Sequence, residues 1–267
     1  MSKIRLYLKI WAFGLKKGLQ YPANIYFSIL QPAPSFFFAA VLWTRAVEQN
    51  EVVGVYDLGS LLRYYLVTRI LAAVMSFETD WDLWQDIKDG TLSQHLTHPV
   101  NYLLYKFMGQ MGQDTVNMIS CPLMVALGYL AFPSSLSFAT GLDVLALSFV
   151  AIVNGLVFAK MLAYLRGSLA FWLHDSGPFA WVDRLAIGLL AGYYIPFGVL
   201  PAGIRRVLLL LPFQSLLSTP TETLLGVLDF NTALRLTAVN IGWTLVAGSG
   251  LSLLWRSGLR RYEALGG

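Results

Sequence analysis

Residues 78–99, ETDWDLWQDIKDGTLSQHLTHP, hold the densest chemistry in the chain. If 80–89 is helical, Asp82, Asp86 and Asp89 fall at i, i+4 and i+7 on one face, while Trp81, Leu83, Trp84 and Ile87 cover the opposite one. Gly90 then ends the helix as its C-cap. Like charges four residues apart destabilise a helix by roughly a few tenths of a kcal/mol. The stripe is therefore either simply solvated or faces a basic partner, and the pattern predicts a docking helix. The sharper alternative is a divalent metal held by these carboxylates with His95 and His98. Neither the oxygen-rich calcium loop nor a His-x-x-x-His helix is present, so no metal site is expected and the histidines read as interfacial polar residues.

The usual catalytic patterns are missing. No Gly precedes a Lys anywhere, which excludes a G-x-x-x-x-G-K-[ST] phosphate loop and ATP binding by that route. There is no G-x-S-x-G elbow, no H-E-x-x-H helix and no Cys/His pair with ligand spacing. A single cysteine, Cys121, excludes an internal disulfide framework. Among polar residues within apolar stretches, Asp114, Asn117, Asn154 and His174 form no pair whose spacing demands catalysis. The chain is not expected to be an enzyme or to carry a cofactor.

The elements that position these residues follow from composition. Of 267 residues, 56% are apolar and 13% charged, with mean hydropathy +0.59. Soluble domains run near 25% charged, so the bilayer is the expected solvent. A spanning helix needs about 20 largely apolar residues; 25–44, 58–77, 107–132, 142–163 and 233–255 qualify. A sixth span, 179–200, is interrupted by Asp183, Arg184, Gly188, Gly192, Pro196 and Gly198. The prediction is an all-α integral membrane protein of six spans, one domain over 1–267.

One side collects 13 Lys and Arg, including Lys88, Lys106 and Lys160, against 4 on the other, with Arg63 and Arg69 inside the second span. By the positive-inside rule both termini are cytoplasmic, in a plasma (inner) membrane. The net charge of +4 is explained by these loops, so no nucleic-acid partner is expected. No removable signal peptide is evident. Residues 1–20 read as a basic interfacial helix, with Arg5, Lys9 and Lys16 close together around the helix and Tyr7, Trp11 and Leu15 on a separate apolar flank. It either anchors the chain to anionic lipid or touches a cytoplasmic partner.

Residues 201–220 are too short and too punctuated by Pro201, Pro212 and Pro220 to span. They read as an outer re-entrant segment shaping a path, with Pro201, Arg205 and Arg206 facing outward, or as a plain outer loop. Arg69 lies eight residues, about 12 Å, above the cytoplasmic end of its span, and Asp114 nine residues, about 13 Å, above the same boundary. An isolated ion at that depth costs at least about 3 kcal/mol, so the two are predicted to pair; the alternative is that Arg69 faces a cavity alone as a substrate contact. Gly109 with Gly112, or Gly242 with Gly248, would suit close helix packing.

Three segments, 86–99 (DIKDGTLSQHLTHP), 167–172 (GSLAFW) and 255–263 (WRSGLRRYE), in this order and at these positions, resemble the permease subunits of type-2 ABC transporters, in the branch associated with daunorubicin-type export. The resemblance covers nearly the whole chain. It implies six spans, a flat N-terminal helix, a coupling helix after the second span and two short outer helices before the sixth. It also implies that ATP and magnesium are bound by separate cytoplasmic ATPase subunits, and that a second permease copy, identical or paralogous, completes the assembly. The expected function is the permease of an ATP-driven exporter, with residues 80–99 coupling it to the ATPase; a membrane-embedded enzyme or a non-transporting scaffold is the alternative. Apolar walls look alike for a drug, a lipid or a lipid-linked glycan, so the sequence names no substrate.

Overall fold

The computed structural model describes residues 3–20, 26, 30, 32–49, 54–75, 81–131, 141–173 and 177–262. Among these there are helices and turns but no strand. Three helices, Leu58–Met75, Leu142–Phe171 (including a terminal tight turn) and Phe230–Arg261, are long and apolar enough to cross a membrane, as a multi-pass membrane protein requires.

Helix α1 (Lys3–Leu19) buries Gly14 and presents two further stripes, one apolar with Ile4, Leu8 and Leu19, one basic with Arg5, Lys9 and Lys16. It lies on α6 (Tyr102–Asn117). Contact is that close because a side chain on Gly112 would run into the Trp11 carbonyl and stand 2.7 Å from the Leu15 nitrogen. Of the two glycine pairs expected to pack, Gly109 and Gly112 do so against α1, whereas Gly242 has open space around it.

Helix α2 (Pro32–Gln49) packs on α3 (Leu58–Met75). The start of α3 is fixed by Asp57, whose carboxylate accepts from the Ser60 nitrogen at 3.0 Å. Three described segments depart from the expected spans. Residues 107–132 do not form one helix: α6 ends at Asn117 and α7 (Ser120–Ala131) begins after a break at 118–119. Pro122 explains it, since it has no N–H to give to the Met118 carbonyl and its ring crowds that position. Helix α8 (Leu142–Ser168) runs beyond 163 and tightens into a turn at Leu169–Phe171. Helix α9 (Gly177–Leu190) stops ten residues before 200, because Gly192 adopts φ +81° and Pro196 follows. The opening part of the first span, near 25–31, lies largely outside the described residues.

After α9 the chain makes a tight turn at Phe197–Val199, a short helix α10 (Ala202–Leu208), another turn at Pro212–Ser215 and a short helix α11 (Ser218–Leu224) before the long α12 (Phe230–Arg261). This stretch is not a surface loop. Residues 214–223 are all buried, and Leu216 and Leu217 join Val67, Leu71, Met75, Phe158 and Ile187 in one core. Several polar members of the run bond within it or just before it. Thr219 donates to Gln214 Oε1 at 2.9 Å, Thr223 to the Thr219 carbonyl at 2.7 Å, and Ser215 to the Pro212 carbonyl at 2.6 Å.

Candidate functional site

The site begins with α4 (Trp81–Lys88), whose Leu83, Trp84 and Ile87 are buried while Trp81, Asp82 and Gln85 are exposed. The expected inward and outward faces therefore hold with two exceptions. Trp81 is 40% exposed, and Asp86 turns in rather than joining an outer acidic stripe. Asp89 is exposed but lies one residue past the helix. Gly90 follows at φ +75°, the left-handed conformation that lets the chain turn into α5 (Leu92–Leu96).

Asp86 is the hinge of this elbow. Its carboxylate lies 2.7 Å from Lys106 Nζ, accepts from the Tyr102 hydroxyl at 2.5 Å and from Thr91 at 3.1 Å, and is 4.0 Å from His95 Nε2. Partial burial alone would raise its pKa, but Lys106, Tyr102 and Thr91 together hold it below the usual carboxylate range. His95 sits against the rings of Tyr102 and Tyr105, and His98 Nδ1 is 2.9 Å from the Gln94 carbonyl. Among the described residues no group of three or more His, Cys, Asp or Glu is arranged to hold a metal ion.

Beneath the elbow the three motif-bearing segments meet. Ile87 and Leu92 from the first pack with Ala170 and Phe171 from the second and Trp255, Leu259 and Tyr262 from the third. Tyr102 stacks on Trp255 with ring centroids 5.6 Å apart, Phe171 meets both Trp255 and Tyr262 edge-on, and the Tyr262 hydroxyl accepts from the Ser93 nitrogen at 3.2 Å. Helix α1 reaches the same place, with Lys17 Nζ 3.6 Å from Asp82.

The two charges expected to pair inside the membrane are not brought together. Asp114 Oδ2 lies 2.6 Å from Lys160 Nζ, and Gln110 donates to Oδ1 at 3.1 Å. Arg69 instead lays its guanidinium over the Tyr193 ring, 3.6 Å from the centroid. Depth along two helices fixed how far in each charge lay, but not which way it faced, and Asp114 faces α8. Lys160, counted in the sequence as a cytoplasmic-side charge, is 3% exposed within α8. A lone lysine inside an apolar run was the signal for it.

At the end of the bundle where α3 begins, Pro201 caps the start of α10 and Arg205 and Arg206 lie within it; Pro201 and Arg206 are exposed and Arg205 half-buried. Arg205 points toward Glu222, Nη2 to Oε2 3.9 Å. Sequence reasoning passed over Glu222, an acid among threonines. It is 1% exposed, accepts at Oε1 from Tyr56 at 2.9 Å and Ser218 at 3.3 Å, and its Oε2 has no hydrogen bond. Burial raises its pKa despite Tyr56 and Arg205.

A family model described as ABC-2 family transporter protein matches residues 29–266. Comparison with curated proteins gives no match.

Proposed function

The chain belongs to the ABC-2 transporter family, and on that premise we propose that it is the membrane-spanning permease subunit of an ATP-driven exporter, working with a second permease copy and separate ATPase subunits that bind ATP and magnesium. The observation that carries the reading is the elbow at 81–99. Segments from α4–α5, the end of α8 and the end of α12, far apart in sequence, are clamped by aromatic stacking under one small exposed surface of Trp81, Asp82, Gln85 and Asp89. A rigid, acid-edged knob is what a cytoplasmic ATPase needs to push on. The charge asymmetry supports a cytoplasmic position for both termini and for this knob in the plasma membrane. On the same reading, α10 with Pro201, Arg205 and Arg206 lies toward the outer face, and ATP-driven closure below opens a path between two permeases.

The test is purification of the native complex. A protein with a phosphate-binding loop should co-purify, and Asp82→Asn with Asp89→Asn should weaken that association or lower substrate-stimulated ATP hydrolysis while the chain still inserts. Asp86 is left intact because its role is internal. A chain that purifies alone from gently solubilised membranes would return the reading to an enzyme or scaffold.

A further inference from the structure

Arg69 lies about two thirds of the way along α3, six residues or about 9 Å from the end of the helix at Met75, and is 5% exposed. Its Nε and Nη1 have no hydrogen-bond partner. Among the described residues no ion pair joins it to a carboxylate, and acids elsewhere in the bundle have other cations: buried Asp114 has Lys160, half-buried Asp183 has Arg166, and buried Glu222 has Arg205. A buried charge without a counter-ion is costly at this depth, so its retention calls for a ligand.

The surroundings are built to hold this guanidinium in one pose. Tyr64 donates to the Gly192 carbonyl at 2.9 Å and Tyr65 to the Tyr194 carbonyl at 2.7 Å, so two successive residues of α3 pin the non-helical turn that follows α9. Such broken backbone is stable at membrane depth only when protein or a cavity serves its polar groups. The pinned turn presents Tyr193 to the face of Arg69 at 3.6 Å, with Tyr65 at 5.7 Å. Stacking occupies the face of the cation and leaves its in-plane N–H groups to be answered: Nε shares one edge with Nη2, the pair that grips an oxyanion at two points, and Nη1 lies on the other side. Tyr193 itself packs on the apolar core that holds Ile187 and Ala191, while Tyr194 and Ile195 on the same turn are exposed.

We propose that Arg69, oriented by Tyr193 and Tyr65, is the binding group for a phosphate or carboxylate carried on an apolar chain. As cargo recognition this rests on the transporter reading; as binding it does not. The test uses the purified chain in a non-ionic detergent with dodecyl phosphate, against inorganic phosphate at the same concentration. Dodecyl phosphate should raise the Tm of the wild-type chain by several degrees and inorganic phosphate should not. Arg69→Gln should abolish the shift, and Arg69→Lys, which keeps the charge but not the fork, should weaken apparent affinity at least fivefold. Without ligand, Arg69→Met should unfold at or above the wild-type Tm, since it removes an unpaired buried cation. An equal shift in Arg69→Gln, an equal shift from inorganic phosphate, or a Tm several degrees lower for unliganded Arg69→Met would each overturn the proposal, the last by making the arginine a packing residue. Recovery of an ATPase with the native chain, alongside an Arg69→Gln response equal to wild type, would sink the site and spare the transporter; no ATPase with an intact Arg69-dependent shift would do the reverse.

Discussion

At the elbow, Asp86 accepts from Tyr102 and Thr91 and lies 2.7 Å from Lys106; at the far end of α3, Glu222 is more deeply buried, yet one oxygen has no hydrogen bond and its nearest cation stands 3.9 Å away. Arg205 Nε and the Thr221 hydroxyl beside it also lack partners. A carboxylate answered at both oxygens resists being moved, because any movement breaks charge-assisted hydrogen bonds. A region with unanswered groups has contacts still to gain. The elbow is therefore suited to transmit a push as one body, and the short-helix end to change its contacts when pushed.

The most direct way to break this comparison is to remove one cation–carboxylate contact at each end. Asp86→Ala leaves Lys106, whose side chain is 15% exposed, without its counter-ion. The expected loss of stability is about 3 kcal/mol. Arg205→Ala removes a 3.9 Å contact to a carboxyl that burial already biases towards its neutral form, so it should cost less, about 1 kcal/mol. Denaturation of both variants in detergent checks this, and equal losses would erase the distinction between the ends.

Packing should separate them next. Gly112→Leu must force α1 off α6, because the obstacle is the α1 backbone at Trp11 and Leu15; overpacking of this kind costs roughly 1–3 kcal/mol. It should also speed tryptic cleavage after Lys16 and Lys17, because both are already exposed and α1 would be freed from its support. Gly203→Leu in α10, where no atom lies within 4 Å of the added Cβ, should be nearly neutral.

The two carboxylates should also answer acid with opposite signs. Asp86 is held below its ordinary range, so its contribution is present above the unfolded value near pH 4 and is lost as pH falls through the lower folded value. Glu222 is pushed up, so its contribution is present below its unfolded value, also near pH 4, and is lost as pH rises through the folded one. The stability gap between wild type and Asp86→Asn should shrink on acidification, while that between wild type and Glu222→Gln should shrink as pH rises. Parallel slopes would mean that both ends hold their acids alike.

How much of this was legible in the sequence depended on the kind of signal. Periodicity showed that Leu83, Trp84 and Ile87 face inward and that Gly90 turns the chain, since both depend on neighbours within a few residues. It misplaced Asp86, because a carboxylate facing inward looks solvated until Lys106 and Tyr102 arrive from another helix. Depth arithmetic located Arg69 and Asp114 but not their orientation, so Lys160 was missed as the partner. Proline spacing marked 201–220 as unable to span, but it carried no sign that residues 214–223 would be buried as a polar run. Long-range pairing of polar side chains leaves no mark in local pattern.

The smallest expected effect lies at the rim of the elbow. Lys17 and Asp82 join α1 to α4 at 3.6 Å, with side chains 49% and 56% exposed. In water an exposed pair of this kind gains little attraction and loses side-chain freedom, and the usual coupling is about 0.2–1 kcal/mol. A double-mutant cycle with Lys17→Met and Asp82→Asn should therefore give under about 0.5 kcal/mol in stability, and less as salt is raised. The elbow's rigidity would then come from the Asp86 network and the Tyr102–Trp255 stack alone, leaving Asp82 free to meet a partner's basic group in place of Lys17. A coupling above about 1 kcal/mol that survives high salt would put α1 inside the same rigid body, and Asp82 would then be committed within the chain rather than offered to the ATPase.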